Sequence, residues 1–376
     1  MQKENIFLII SIILSIVILI FSIYTFYPSK DTNPTPTTQQ DLTQENTDIE
    51  QDFQPTTISE QLPEVEYKLL HSAWIPSWDF ENGYKSLELN KYLISTVHPV
   101  LYGVNNDGTL LDRKPSKDQL NKLLSLCTTN DIEIVPTIGS YDYKILGSVL
   151  QSDLYIEKLI GEILIEVDTY EYDGIDIDFE KIYSSEKEGY FKFLTRLKDE
   201  LDKKNKTLSV TVVAKIRDGK VDTLEVQDWK RIGDIADEVK IMAYDYTLQT
   251  SPTPGPIAPM PWIKEVIVYG LERIPKEKIS LGIHLYAYLW KAEKASALTY
   301  ISALNIVNNV KINEEYLKDI SEGYAKYTCS DGSTCILYYQ TPLGVKERVD
   351  IAKENNLRGV TYWRLGSENG ILDLVK

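Results

Sequence analysis

The stretch YDGIDIDFEK, Tyr172 to Lys181, sets Asp173, Asp176, Asp178 and Glu180 among Ile175, Ile177 and Phe179. In an extended strand successive side chains alternate, so Asp176, Asp178 and Glu180 share one face and Ile175, Ile177 and Phe179 the other. Neighbours two apart along a strand lie roughly 6.5 to 7 Å apart. Three full negative charges at that spacing on a shielded face repel one another and lose hydration, so at least one holds a proton near neutrality. A solvated strand end would not call for Ile, Ile and Phe between its acids. With no His close in sequence, a mixed transition-metal site is disfavoured. Spacing alone leaves open an all-oxygen calcium or magnesium site, although no recognisable loop motif accompanies it.

Working outward, short β-rich runs alternate with helical patterns from about Val65 onward, which predicts βα units and a parallel sheet. The strand candidates are 69–78, 95–104, 132–139, 174–180, 208–215, 238–246, 279–288 and 358–366, eight in all. Amphipathic segments such as DLYIEKLIGEILIEV and EGYFKFLTRLKDELDKK lie between them, with apolar residues recurring at three and four. The pattern predicts a (β/α)8 TIM barrel over 65–376, and such barrels do their chemistry at the C-terminal ends of their strands, where this stretch finishes. One interval departs from the pattern. Between the seventh and eighth strands, about 291–343 reads as a small α+β insertion, with a helix-like EKASALTYISAL and then a β-hairpin, YAKYTCSDGSTCILYYQ. The turn signal Asp331-Gly332 brings Cys329 and Cys335 together, and a disulfide is expected over a reduced packed pair. Cys127, in QLNKLLSLC, reads as a free buried thiol.

The chain has 376 residues, 43% of them hydrophobic, with 56 acidic against 40 basic side chains and no dense basic run. Nothing in it would follow a phosphate backbone, which excludes nucleic acid as a partner. Ile6 to Tyr27 is uncharged and almost wholly apolar, long enough to span a hydrocarbon core of roughly 30 Å. The first Ala in the chain is Ala73, so a small-residue cleavage site is missing, and 1–27 is expected to be an uncleaved membrane anchor. Lys3 precedes the span and Lys30 follows it; the expected arrangement is a single-pass protein of the cell membrane with its N-terminus inside and its catalytic domain extracellular. Residues 28–64, rich in Thr, Gln, Asn, Asp and Pro, are expected to form a disordered linker.

DGIDIDFE, Asp173 to Glu180, matches the DGxDxDxE signature of glycoside hydrolase family 18, the chitinase-like barrels, at every fixed position. IMAYDY, Ile241 to Tyr246, resembles the family's sixth-strand Met-x-Tyr-Asp motif, and VTYWRLG, Val360 to Gly366, resembles its eighth strand. PGPIAPMPWI, ISLGIHLYAYLW and NLRGVTYWRLG are similar to the branch that contains spore cortex-lytic N-acetylglucosaminidases and related bacterial wall hydrolases. The resemblance runs from roughly Tyr67 to the C-terminus. It departs at His284, where that branch usually has Pro, at Tyr246-Thr247, and in lacking a LysM-like wall-binding repeat.

Glu180 is the residue to which the family gives the task of protonating the glycosidic oxygen, and a Glu near other acids and partly desolvated keeps a proton available. Asp178 lies on Glu180's own strand and face, a poor place for a nucleophile that must attack from across the sugar. The resemblance implies that the substrate's own 2-acetamido oxygen attacks, giving an oxazolinium ion, and that Asp178 orients the amide and balances its charge. It further implies that Asp176 shares a proton or hydrogen bond with Asp178, that Tyr244 donates to the acetamido oxygen, and that Asp245 supports the sugar and the acids. Trp363 falls at the sugar-stacking position and Met242 reads as pocket wall. Trp74, Tyr102 and Tyr286, near predicted strand ends, are candidate cleft residues, as are Trp78, Tyr288 and Trp290. No metal and no cofactor is expected. The implied partner is an N-acetylglucosamine-containing glycan, either peptidoglycan, cleaved by a membrane-anchored β-N-acetylglucosaminidase or muramoyl-glycan hydrolase, or a chitin-type oligomer. A non-catalytic glycan-binding protein is the alternative of another class, and the intact Glu180, Asp178 and Tyr244 argue against it.

Overall fold

The structure, a computed structural model, describes residues 67–309, 314–368 and 370–376. The expected anchor (1–27), the whole of the expected linker (28–64) and the junction 65–66 lie outside the described residues, among which no helix is long and apolar enough to cross a membrane.

Eight parallel strands carry the fold: β1 (Leu70–Pro76), β2 (Thr96–Val104), β3 (Thr137–Ser140), β4 (Gly174–Phe179), β5 (Thr207–Val213), β6 (Glu238–Met242), β7 (Ile279–His284) and β8 (Gly359–Trp363). Each pairs with the next, and β8 pairs with β1, which closes the barrel. Helices cover its outside, and β4 makes the division of faces plain. Ile175, Ile177 and Phe179 are fully buried against the helical shell, Phe179 stacking on Phe193 of helix Lys187–Asp202 with ring centroids 5.5 Å apart. Burying such a side chain contributes about 1.5–3 kcal/mol, so their common direction fixes the opposite direction for Asp176 and Asp178. Gly174 opens the strand because a Cβ there would collide with the hydroxyl and carbonyl of Thr207. Asp173 sits at the far end of the barrel from the acids, its Oδ2 accepting from the Ile134 amide at 2.8 Å.

Between β7 and β8 lies a second, antiparallel sheet of five strands, in the order Lys294–Thr299, Tyr286–Lys291, Thr334–Tyr339, Glu322–Thr328 and Glu314–Leu317. Two expected boundaries are corrected here. The run 279–288 is not one strand: the barrel strand stops at His284, and Tyr286–Lys291 belongs to the second sheet. The first half of EKASALTYISAL is also a strand, with the helix starting only at Tyr300, because six consecutive residues pair with Tyr286–Lys291 and tertiary pairing overrides helix propensity. Cys329 and Cys335 are joined by a disulfide across the tip of the hairpin, and Cys127 is a buried free thiol.

The second sheet is tied to the barrel through Glu322. Its carboxylate accepts from the backbone amides of Ile257, at 2.9 Å, and Ala258, in the segment after β6, and it pairs with Arg348 at 3.5 Å. Both charged side chains are fully buried, a placement that holds only when each finds its partner.

Candidate active site

A cavity of about 440 Å³ opens at the C-terminal end of the barrel. Asp178 and Glu180 reach it from β4 and the residue beyond it, Met242, Tyr244 and Asp245 from β6 and its extension, Trp74 from β1 and Trp363 from β8. A smaller space of about 270 Å³ adjoins it, sharing Tyr244, Asp245 and Trp363 and lined also by Tyr286 and Tyr288. Trp363 stands edge-on to Trp74, centroids 5.9 Å apart, and faces the exposed Trp78 at 6.3 Å. Gly282 on β7 leaves the room Tyr244 occupies, since a Cβ there would lie 3.1 Å from the Tyr244 ring and 2.5 Å from the Ile241 carbonyl.

The acids of β4 have unlike surroundings. Asp176, at the floor, is fully buried and fully engaged: Oδ2 accepts from Trp74 Nε1 at 3.3 Å and Thr137 Oγ1 at 2.7 Å, Oδ1 from Ser209 and Thr211, each at 3.1 Å, and Lys240 Nζ lies 3.0 Å from Oδ1. Burial, the largest influence, would raise its pKa, but Lys240, His98 and the hydrogen bonds outweigh it and leave Asp176 below the usual carboxylate range. Among the described residues no hydrogen bond joins Asp176 to Asp178, where the resemblance implied a shared proton or hydrogen bond; the Asp176 oxygens are taken up by the floor.

Asp178 has far less. Its Oδ2 accepts from Tyr141 at 2.9 Å, while Oδ1 is buried with no hydrogen-bond partner among the described residues. Burial, then the charges of Glu180 and Asp176, push its pKa well above the usual range, only partly offset by Tyr141 and Lys240. Burial, followed by the neighbouring charge of Asp245, lifts Glu180 to about 7. Asp245 takes a left-handed backbone, φ 60°, a conformation Asp tolerates better than most residues. Its carboxylate accepts from Tyr286 Oη and, at 2.7 Å, from Tyr288 Oη.

Tyr102 is not in this cavity. Its hydroxyl donates to Glu166 at 2.7 Å and meets that of Tyr172 at 3.0 Å, outside the barrel wall. The cause is a bulge. Val100 pairs with Thr137 but Tyr102 with Ile138, so one extra residue in β2 turns Tyr102 to the outward face that Ile138 and Ile177 share. Trp290 is buried in the second sheet, its Nε1 donating to Ser251 at 2.9 Å. Tyr141 and Lys240 were missed by sequence reasoning. A signal existed for each: Tyr141 directly follows β3, and Lys240 alternates with Met242 and Tyr244 between buried Val239 and Ile241.

The model of the family described as glycosyl hydrolases family 18 matches residues 68–368. Among curated proteins, the chain is 27% identical over 277 residues to the cortical fragment-lytic enzyme of Bacillus anthracis, covering 70% of this chain and 63% of that one. It is 26% identical over 260 residues to the putative sporulation-specific glycosylase YdhD of Bacillus subtilis (strain 168), covering 66% of this chain and 61% of that protein. The match thus spans about three-fifths of the length of these relatives. Among solved structures, the Bacillus cereus spore cortex-lytic enzyme SleL superposes with a TM-score of 0.74 at 23% identity, covering 82% of this chain and 73% of SleL. A chitinase from Chromobacterium violaceum ATCC 12472 gives 0.75 at 20% identity, with 81% and 96% covered. At these identities the superpositions speak to the barrel.

Proposed function

The chain belongs to family 18 of the glycosyl hydrolases, and from that premise we propose that it cleaves β-1,4 bonds next to N-acetylglucosamine in peptidoglycan, retaining configuration with help from the substrate's own acetamido group. The observation that carries the reading is that one cavity holds both Glu180, lifted to about 7 by burial and by Asp245, and Asp178, also raised, with a buried oxygen left unpaired among the described residues. An acid near 7 can give a proton to the glycosidic oxygen and take one back from water in the second step. The free Oδ1 of Asp178 is an acceptor awaiting a donor, and the N–H of a 2-acetamido group supplies one as its oxygen attacks the anomeric carbon. Cleavage of the glycosidic bond sends its electron pair to the leaving oxygen, which takes Glu180's proton; water then opens the oxazolinium ion and returns a proton to Glu180. Tyr244, whose hydroxyl is held protonated by burial and by Asp178, Asp245 and Glu180, donates to the acetamido oxygen. Trp363 forms the apolar floor for the sugar.

Peptidoglycan is favoured over chitin by the relatives named as cortex-lytic enzymes and a sporulation glycosylase. Chitin-type oligomers, which carry the same acetamido group, are the second reading, supported by the chitinase superposition. The apolar run Ile6–Tyr27 supports attachment to the cell membrane with the barrel outside. Incubating the protein and its Glu180→Gln variant with purified peptidoglycan and with chitin oligosaccharides, and reading products by mass spectrometry, tests the proposal. Wall fragments ending in reducing N-acetylglucosamine, made only by the unmodified protein, are the expected result. Cleavage of chitin alone would move the substrate, and no cleavage with retained binding would replace the enzyme with a glycan-binding protein.

A further inference from the structure

Beneath the acids lies a charged side chain that the mechanism above does not use. Lys240, on β6, is fully buried, as is Asp176 beside it. Its Nζ is 3.0 Å from Asp176 Oδ1 and 3.2 Å from each ring nitrogen of His98. His98 Nδ1 lies 2.9 Å from the Val135 carbonyl, and a carbonyl only accepts, so Nδ1 carries the ring hydrogen. Lys240 therefore lies between the Asp176 carboxylate and the His98 ring inside the barrel. It shares a strand face with Met242 and Tyr244, which line the cavity above.

We propose that Lys240 is a positioning residue for hydrolysis: its ion pair with Asp176 keeps that carboxylate ionised and turned to the floor, so that the one proton of the two aspartates stays on Asp178. Two carboxyls on neighbouring inward positions would otherwise share a proton between them and titrate as a pair. Among the described residues, the other charged or titratable groups around this pair are His98 from β2, Tyr141 after β3, Asp178 and Glu180 from β4, Tyr190 from the helix Lys187–Asp202 behind β4, and Glu238, Tyr244 and Asp245 from β6 and its extension, with Arg358 beyond Glu238. Trp74, Thr137, Ser209 and Thr211 complete the cage as neutral donors. With Asp176 so engaged, Asp178 is free to turn its unpaired oxygen to a ligand without giving up its proton to the floor. The catalytic part of this inference rests on the hydrolytic reading; the protonation part does not.

The test is carboxyl-carbon NMR of the full chain labelled at Asp and Glu, without substrate, from about pH 4 to 9, a range spanning the ordinary carboxyl and imidazole values. The expected result is an Asp176 signal that stays ionised throughout the wild type and moves toward the protonated position near neutrality in Lys240→Met. An Asp176 protonated at neutral pH in the wild type, or a titration unmoved in the variant, would overturn the proposal. Should Lys240→Met not fold, Lys240→Gln keeps a donor without the charge and carries the same comparison, and the wild-type titration stands by itself. Where the wild type hydrolyses a glycan, the variant is expected to lose about tenfold or more in kcat with little change in KM, and to shift its pH profile, as for a group acting in the transition state; an unmoved profile would remove the catalytic role. A wild type that cleaves no glycan would defeat the hydrolytic reading while the carboxyl titration still decided what Lys240 does.

Discussion

Asp176 and Asp178 stand two residues apart on one strand and one face, yet the floor of the barrel and its rim treat them in opposite ways. At the floor, Asp176 is met by donors from β1, β3 and β5 and by Lys240 from β6, and is drawn below its ordinary pKa. One step up, Asp178 keeps an oxygen without a partner and Glu180 rises to about 7. Burial acts on all three, so it does not decide the outcome; the supply of compensating groups does. The floor is finished as structure. The rim is left unfinished, and an unsatisfied buried group is what a ligand can complete.

The sharpest way to break this contrast is to remove the proton at the rim. Glu180→Gln should cut hydrolysis by about 10²–10⁴-fold while glycan binding, measured by calorimetry, survives; substantial residual turnover would take the acid role from Glu180. Breaking the floor instead should show in stability. Lys240→Met strands Asp176 and should cost about 3–5 kcal/mol in urea unfolding, with Lys240→Met/Asp176→Leu recovering much of it. The rim predicts the reverse sign for stability. Glu180's folded pKa is raised above its unfolded value, so its contribution is fully present below about pH 4.5 and is lost as pH rises through about 7. Glu180→Gln should accordingly gain on the wild type between pH 5 and pH 8, on the order of 2 kcal/mol, read as a pH-dependent difference in Tm. Tyr141→Phe removes the hydroxyl from which Asp178 Oδ2 accepts and should cost kcat up to about tenfold, roughly the upper end of what one net hydrogen bond is worth. Outside the wall, Tyr102→Phe should lower stability by about 1 kcal/mol and leave KM where it was, which would sharpen the assignment of Tyr102 to structure.

Much of this was legible in the sequence because one strand states its two faces without ambiguity. Alternation in β4 placed Asp178 and Glu180, and the same rule applied to β6 would have placed Lys240, had a basic residue among apolar neighbours been given the weight the acids received. Tyr102 was illegible for a physical reason: a bulge adds one residue to a strand without any local mark in its sequence, and from there on the alternation reads backward. The break at Leu285 was hidden likewise, since ISLGIHLYAY offers unbroken β-formers to two different sheets. Which of them a residue joins is settled by partners far along the chain, at Thr334–Tyr339 and Gly359–Trp363.

The sheet between β7 and β8 supplies Tyr286 and Tyr288, whose hydroxyls hold the left-handed Asp245, and Glu322, whose carboxylate fixes the backbone at Ile257 and Ala258. For anyone recombining such barrels, this makes the side sheet a poor place to cut. A chimera that exchanged it as a spare part would alter the rim at two points at once, and a minimal barrel trimmed of it would keep every signature residue while losing the scaffolding that aims one of them.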